Sequence, residues 1–199
     1  MKHKPMLAYP VSAKPIDYSK PVFIQPKLDG VRCLIQYNPK APPEETGITA
    51  YSRTGKEWKN IDHILFNLKP FFHWNPNVVL DGELYNHDFK DDFESIISMV
   101  RKTKPTDEDR SISEKHVQFH CYDFVNKKMN FETRDHWLAG NLQSNHCVRH
   151  VRTVLVTNED QAKQYHKENL AEGYEGSIVR LNTPYQCKRS HSLRKFKDF

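Results

Sequence analysis

The stretch Gln25-Pro26-Lys27-Leu28-Asp29-Gly30-Val31-Arg32 decides the reading of this chain. Apolar-rich runs flank it, Val22 to Gln25 before and Val31 to Tyr37 after, and both have the composition of short strands. Pro26 and Gly30 interrupt pairing, so Lys27 is expected on a turn between the two strands. Basic and acidic side chains concentrated where a strand gives way to a loop mark a candidate site.

Outward from there, Pro39 to Thr46 has loop composition and Ile48 to Ser52 resumes alternation, which predicts a meander of antiparallel strands. Asn60 is the expected N-cap of a short helix bearing Ile61, Ile64, Leu65 and Leu68 on one face and closed by Pro70. Val78 to Leu80 reads as a buried strand ending at Asp81. Phe89, Phe93, Ile96, Ile97 and Val100 follow helical spacing, predicting a helix over Phe89 to Lys104, and Lys104 to Ser113 reads as a polar loop. Strands are expected over Val117 to Phe124, Val151 to Val156 and Ser177 to Leu181, with helices over Glu132 to Leu142 and from the Asn158 cap to Ala171. Without a regular βαβ rhythm, the expected class is α+β, built on antiparallel sheets with flanking helices around a cleft.

The 199 residues, 37% apolar and 28% charged, suit one folded domain, and no internal repeat breaks the chain. The net charge of +5 favours phosphate-rich partners without naming one. Cys33, Cys121, Cys147 and Cys187 form no C-x-x-C pair, which argues against a zinc ribbon or a disulfide framework. His116/His120 and His146/His150 have helical spacing, but the first pair lies in an alternating run that reads as strand and the second has no third ligand nearby, so no zinc site is expected. The polar Met1 to Pro10 is no leader, and no apolar run is long enough to span a bilayer, so the expectation is a soluble intracellular monomer, in cytoplasm or nucleus, with a viral source left open.

Five further clusters lie at the ends of apolar runs: Ser52 to Gly55, Leu80 to Leu84, Cys121 to Phe124, Glu175 to Arg180 and Leu193 to Lys197. Singly, Lys-x-Asp-Gly and Asp-Gly-Glu are also hairpin-turn patterns, and Lys-x-Lys is also a solvated edge. Together and in this order they resemble the motifs of the covalent nucleotidyltransferases: ATP-dependent DNA ligases, RNA ligases and mRNA-capping guanylyltransferases. Lys27 to Arg32 resembles K-x-D-G-x-R, Leu80 to Leu84 the D-G-E motif, Phe119 to Val125 the aromatic-acidic strand, Glu175 to Arg180 the E-G-x-[IV]-[VM]-[KR] motif, and Lys195-Phe196-Lys197 the closing K-x-K. Pro5 to Ala8 resembles a stretch of small viral and phage DNA ligases.

The resemblance implies an ATP-grasp-like nucleotidyltransferase fold over residues 1–199, a single adenylation domain, with Lys27 attacking the α-phosphate of ATP to give lysyl-AMP. Such a lysine must be neutral to attack, and neighbouring cations, here Lys195, Lys197 and Arg32, disfavour its ammonium form while stabilising departing pyrophosphate. Mg²⁺ or Mn²⁺ is implied on Glu175 and Glu83, with Asp29 as a weaker ligand. Arg32 and Glu83 are implied at the ribose, Tyr122 as the stacking plate, Gln25 as reader of the adenine amino group, and Pro26, Leu28 and Val179 as further nucleotide contacts. Gly30 and Gly82 are expected to admit ribose or phosphate close to the backbone. Ser52 and Arg53 are implied at the 5′-phosphate of nicked duplex DNA, with Lys56, Lys59, Lys188 and Arg189 as an extension along the backbone. Full-length relatives continue into an OB-fold after the K-x-K. None is expected before Phe199, so slow self-adenylylation and poor nick sealing are expected. An RNA ligase, a guanylyltransferase and, from another class, a non-catalytic nucleic-acid-binding module remain alternatives.

Overall fold

The structure is a computed structural model that describes residues 1–42 and 45–197, so part of the loop expected over Pro39 to Thr46 lies outside the described residues. The strands are β1 (Leu7–Pro10), β2 (Val22–Lys27), β3 (Val31–Tyr37), β4 (Ile48–Tyr51), β5 (Val79–Tyr85), β6 (Gln118–Phe124), β7 (Val148–His150), β8 (Val154–Val156), β9 (Gly176–Leu181) and β10 (Arg189–Phe196). The helices are α1 (Asp62–Asn67), α2 (Lys69–Trp74), α3 (Phe93–Val100), α4 (Asp107–His116), α5 (Phe131–Asn141) and α6 (Glu159–Ala171). They form two five-stranded sheets, ordered β1-β10-β9-β2-β8 and β4-β3-β5-β6-β7. The expected α+β class is present, but each sheet also carries one parallel pair, β1 with β10 and β6 with β7.

The expected meander is not formed. β2 pairs with β8 and β9, whereas β3 pairs with β4 and β5, so the chain changes sheets between Lys27 and Val31. Lys27 is therefore not on a turn; it ends β2, opposite Gly176. The reason is steric as much as hydrophobic. A Cβ on Gly30 would stand 2.1 Å from the Leu84 carbonyl oxygen, so only glycine lets the crossing chain lie this close to β5.

Several boundaries move for physical reasons. The segment expected as a polar loop is α4, which lacks an apolar stripe but has a capping box between Thr106 and Asp109 and three acidic residues in its first turn. Asn60 does not cap α1; its amide donates to the carbonyls of Met99 (2.9 Å) and Asp109 (3.2 Å), tying the entry of α1 to α3 and α4. Pro70 opens α2 rather than closing α1, since proline fits a first helical turn, where no backbone donor is needed. α3 begins only at Phe93, after a 3₁₀ turn at His87–Phe89. β5 runs on through Asp81 to Tyr85. Val151 to Thr153 stay outside β7 and β8. Among the described residues, no helix is long and apolar enough to cross a membrane, no three His, Cys, Asp or Glu side chains cluster for a metal, and all four cysteines are free.

One large core packs the helical layer of α1 to α5 on the β3-β5-β6 sheet, and a smaller one packs α6 on β2 and β9. Between the sheets, two small apolar clusters are joined by a buried polar one. Asp123 on β6, with no solvent exposure, accepts two bonds from Arg134 of α5 (2.7 and 3.0 Å) and one from Arg180 of β9 (2.8 Å). Removing a buried carboxylate strands both guanidinium charges, so Asp123→Ala is expected to lower unfolding stability by about 3–5 kcal/mol. Urea unfolding with an unchanged m-value would report it, and a loss below about 1 kcal/mol would contradict it.

Candidate active site

Lys27 ends β2, Glu175 immediately precedes β9, and Lys197 follows β10, so three neighbouring chain segments bring these side chains together. The Glu175 carboxylate accepts from both lysines: one oxygen meets Lys27 Nζ, and the other lies 2.6 Å from Lys197 Nζ. Partial burial works to raise the Glu175 carboxyl, but the bonds from Lys197 and Lys27 outweigh it and hold it below the usual carboxylate value. The candidate nucleophile is thus paired with a carboxylate, not simply surrounded by cations.

From Lys27 a cleft of about 580 Å³ opens between the sheets, with Pro26, Leu28, Arg32, Glu83, Tyr122, Ile178 and Lys195 in its walls. Ser52, Arg53, Lys56, Arg101 and Arg189 stand at its mouth. Glu83 is the one carboxylate among the described residues lining it, so the cleft concentrates positive charge and suits a polyanion.

Glu83 is partly buried and takes the Tyr122 hydroxyl as donor at 3.0 Å. Desolvation pushes its carboxyl up to about 7, against the pull of Arg32, the Tyr122 hydroxyl and Lys27. A divalent cation held nearby would itself favour the ionised form of Glu83, and Glu175 is partly exposed and held ionised, so both carboxylates keep the chemistry of the expected metal role, since Mg²⁺ needs only one or two carboxylates and keeps its waters. Asp29 is exposed, and partial burial followed by the Glu175 charge raises its carboxyl.

The Arg32 fork is committed to buried Asp81 (2.6 and 2.7 Å) and the Met6 carbonyl (2.7 Å), with its guanidinium 5.4 Å from the centre of the Tyr122 ring. Tyr185 also donates to Asp81 (2.8 Å). The sequence marks Asp81 only as the aspartate of the D-G-E motif, with no role assigned, and Tyr185 carries no motif at all.

Several expected contacts are engaged within the protein. Val179 faces away from the cleft into the core with α6, as does Ser177, which meets His166 and Asn169 of that helix. Strand alternation therefore turns Ile178 toward the cleft, a residue that period two would have exposed had the face of β9 been known. Gln25 is buried and absent from the cleft wall. Ser52 spends its hydroxyl on the amides of Thr54 (3.3 Å) and Lys56 (3.0 Å), shaping the turn that presents exposed Arg53. Gly82 admits protein rather than ligand: a Cβ there would lie 2.3 Å from the His120 carbonyl oxygen. Lys59 pairs with Glu57, and Arg189 donates to the Ala8 carbonyl.

Residues 5–197 match the family model described as "ATP dependent DNA ligase domain". A DNA ligase of African swine fever virus is 31% identical over 169 residues, which make up 82% of this chain and 37% of the viral protein. The chain thus spans little more than a third of that relative. Among solved structures, a Chlorella virus DNA ligase-adenylate superposes with a TM-score of 0.70 at 20% identity, covering 99% of this chain and 68% of that one. The ATP-dependent DNA ligase of bacteriophage T7, in complex with ATP, gives 0.70 at 18% identity, covering 98% and 68%. At these identities the superpositions speak for the fold.

The Glu83 shift gives a signed pH dependence. A carboxyl raised in the folded state costs nothing while protonated in both states, and the penalty grows as pH rises from the unfolded value near 4.5 through about 7. Glu83→Gln is therefore expected to gain stability relative to the unsubstituted chain between pH 5 and pH 8. Thermal melts across that range check it, and a pH-independent offset would contradict it.

Proposed function

The chain belongs to the ATP-dependent DNA ligase domain family, and from that membership we propose that it is the adenylation domain, over residues 1–199, of an enzyme that seals nicks in duplex DNA. The reaction is attack of the Lys27 Nζ lone pair on the α-phosphorus of ATP. A phosphorus–nitrogen bond forms, the bond to the bridging oxygen breaks, and pyrophosphate leaves with the electron pair. The observation that carries this reading is the contact of Glu175 with both Lys27 and Lys197 at the edge of a cation-lined cleft.

The contact sets the proton problem. Lys27 lies against a carboxylate, and attack through its nitrogen lone pair requires that any proton the amine carries leave first. Glu175, in direct contact and partly exposed, is the group placed to pass that proton to solvent. When a triphosphate enters, its oxygens compete for Lys197 and Lys195, loosening the hold of Glu175 and surrounding the departing pyrophosphate with positive charge. A hard divalent cation on Glu175, Mg²⁺ or Mn²⁺, would neutralise phosphate charge when bound. The purine is read as lying between the Tyr122 ring and Ile178, with Arg53 and Lys56 at the mouth meeting the 5′-phosphate of nicked DNA, the AMP acceptor.

Intact-mass spectrometry after incubation with ATP and Mg²⁺ tests this. A gain of one AMP, reversed by pyrophosphate and lost in Lys27→Ala, is expected, with GTP giving no adduct. Label retained by Lys27→Ala would remove the assigned nucleophile, and a GMP adduct would favour the capping reaction.

A further inference from the structure

His87 opens the 3₁₀ turn that follows β5, the strand that carries Glu83, and it has no part in the reaction described above. Its ring joins one sheet to the helix that packs on the other. Nδ1 lies 2.6 Å from the Tyr85 hydroxyl, and Nε2 lies 2.7 Å from the Glu172 carbonyl oxygen. A carbonyl only accepts, so Nε2 carries the hydrogen and, in the neutral ring, Nδ1 accepts from the tyrosine. Tyr85 is buried, and burial raises its phenol well above the usual value, which keeps the hydroxyl protonated and able to donate.

The carbonyl that His87 meets is one that the helix leaves short of a partner. Glu172 is the C-cap of α6, and the last carbonyls of a helix have no donor within it. The chain turns at Gly173, whose φ is 91°, with the Gly173 amide bonded to the Leu170 carbonyl (3.0 Å) and the Tyr174 amide to the Asn169 carbonyl (3.0 Å). This Schellman turn satisfies two of the orphan carbonyls from inside the helix. Glu172 takes its hydrogen from His87 instead. The Tyr174 ring then stacks on the imidazole, with centroids 4.2 Å apart and planes inclined by 24°, and a Cβ on Gly173 would meet the Lys90 side chain. From this docked turn the chain runs directly into Glu175, whose carboxylate meets Lys27 and Lys197.

We propose that His87 is a positioning residue for the lysyl-AMP step: by tying Tyr85 of β5 to the last carbonyl of α6, it sets where Glu175 stands against Lys27. The inference rests on the adenylation reading above. The ring stack alone would let the turn slide, whereas two hydrogen bonds on one rigid ring fix both direction and distance.

The test follows lysyl-AMP formation by intact mass at saturating ATP and Mg²⁺, and nucleotide binding by calorimetry with α,β-methylene-ATP, which cannot release pyrophosphate. His87→Phe keeps a ring over Tyr174 and removes both hydrogen bonds. It is expected to slow the step about 10- to 100-fold, the scale on which misplacing a reacting group acts, with affinity changed by less than about twofold. His87→Gln offers an amide hydrogen and an amide oxygen to the same two partners and should recover most of the rate. In a Glu175→Gln background, His87→Phe should slow the step by less than about twofold, because its effect passes through a carboxylate already removed. Thermal melts give the folded fraction of each variant, so rates are compared per folded molecule. Losses that multiply in the double variant, a loss confined to affinity, a His87→Gln protein as slow as His87→Phe, or variants altered only in melting temperature would each overturn the inference. An unsubstituted chain that gains no AMP removes the adenylation reading and this inference with it, a result told apart by the unsubstituted arm alone.

Discussion

The structure depends on a buried carboxylate shared by two arginines. Asp123 comes from the β6 sheet, Arg134 from the helix behind it and Arg180 from the opposing sheet, and all three are essentially without solvent. Burying ions costs more than their attraction returns unless every remaining donor and acceptor is met. Here the carboxylate also takes the Phe124 amide, Arg134 reaches the carbonyls of Met129 and Thr183, and Arg180 takes Gln25. The cluster is thus directional, fixing the relative setting of the two sheets where an apolar contact of equal area would permit sliding. Arg32 with Asp81 and Tyr185 is a second such tie, also close to the Tyr122 ring.

A different contrast separates Glu83, which lines the cleft, from Glu175 at its edge. Glu83 is on a mid-sheet strand, where desolvation dominates and its carboxyl titrates near neutrality. Glu175 precedes β9, also the middle strand of its sheet, but its side chain is 27% exposed, and the two lysine ammonium groups keep it ionised. Two chemically identical side chains therefore offer different services: a tunable hydrogen-bonding group at the tyrosine hydroxyl, and a permanent negative charge at the nucleophile.

Much of this was legible in the residues. Lys27, Glu175, Lys195 and Lys197 stand at ends of apolar runs, and the order of the charged packets pointed to one cleft before any contact was known. Strands with alternating or continuous apolar residues, such as β3, β6 and β9, also declared themselves, as did the Asn158 cap of α6. What could not be read was pairing. Lys27 was expected on a turn because Pro26 and Gly30 look like punctuation, but whether adjacent strands form a hairpin or change sheets depends on partners more than forty residues away, β5 and β9. α4 escaped because its stability lies in its cap and charges rather than in an apolar stripe.

The same limit accounts for Val179 and Gln25. Which face of β9 looks into the cleft is decided by α6, whose His166 and Asn169 take Ser177 from one side and leave Ile178 to the other. Gln25 follows from that choice: it is paired opposite Ile178, within reach of Arg180, so its amide oxygen meets a buried guanidinium. A motif position fixes where a side chain leaves the backbone. The groups around it fix how that side chain is oriented, and here the neighbouring arginine, itself required to hold the sheets together, takes one of the two acceptor positions on the amide oxygen.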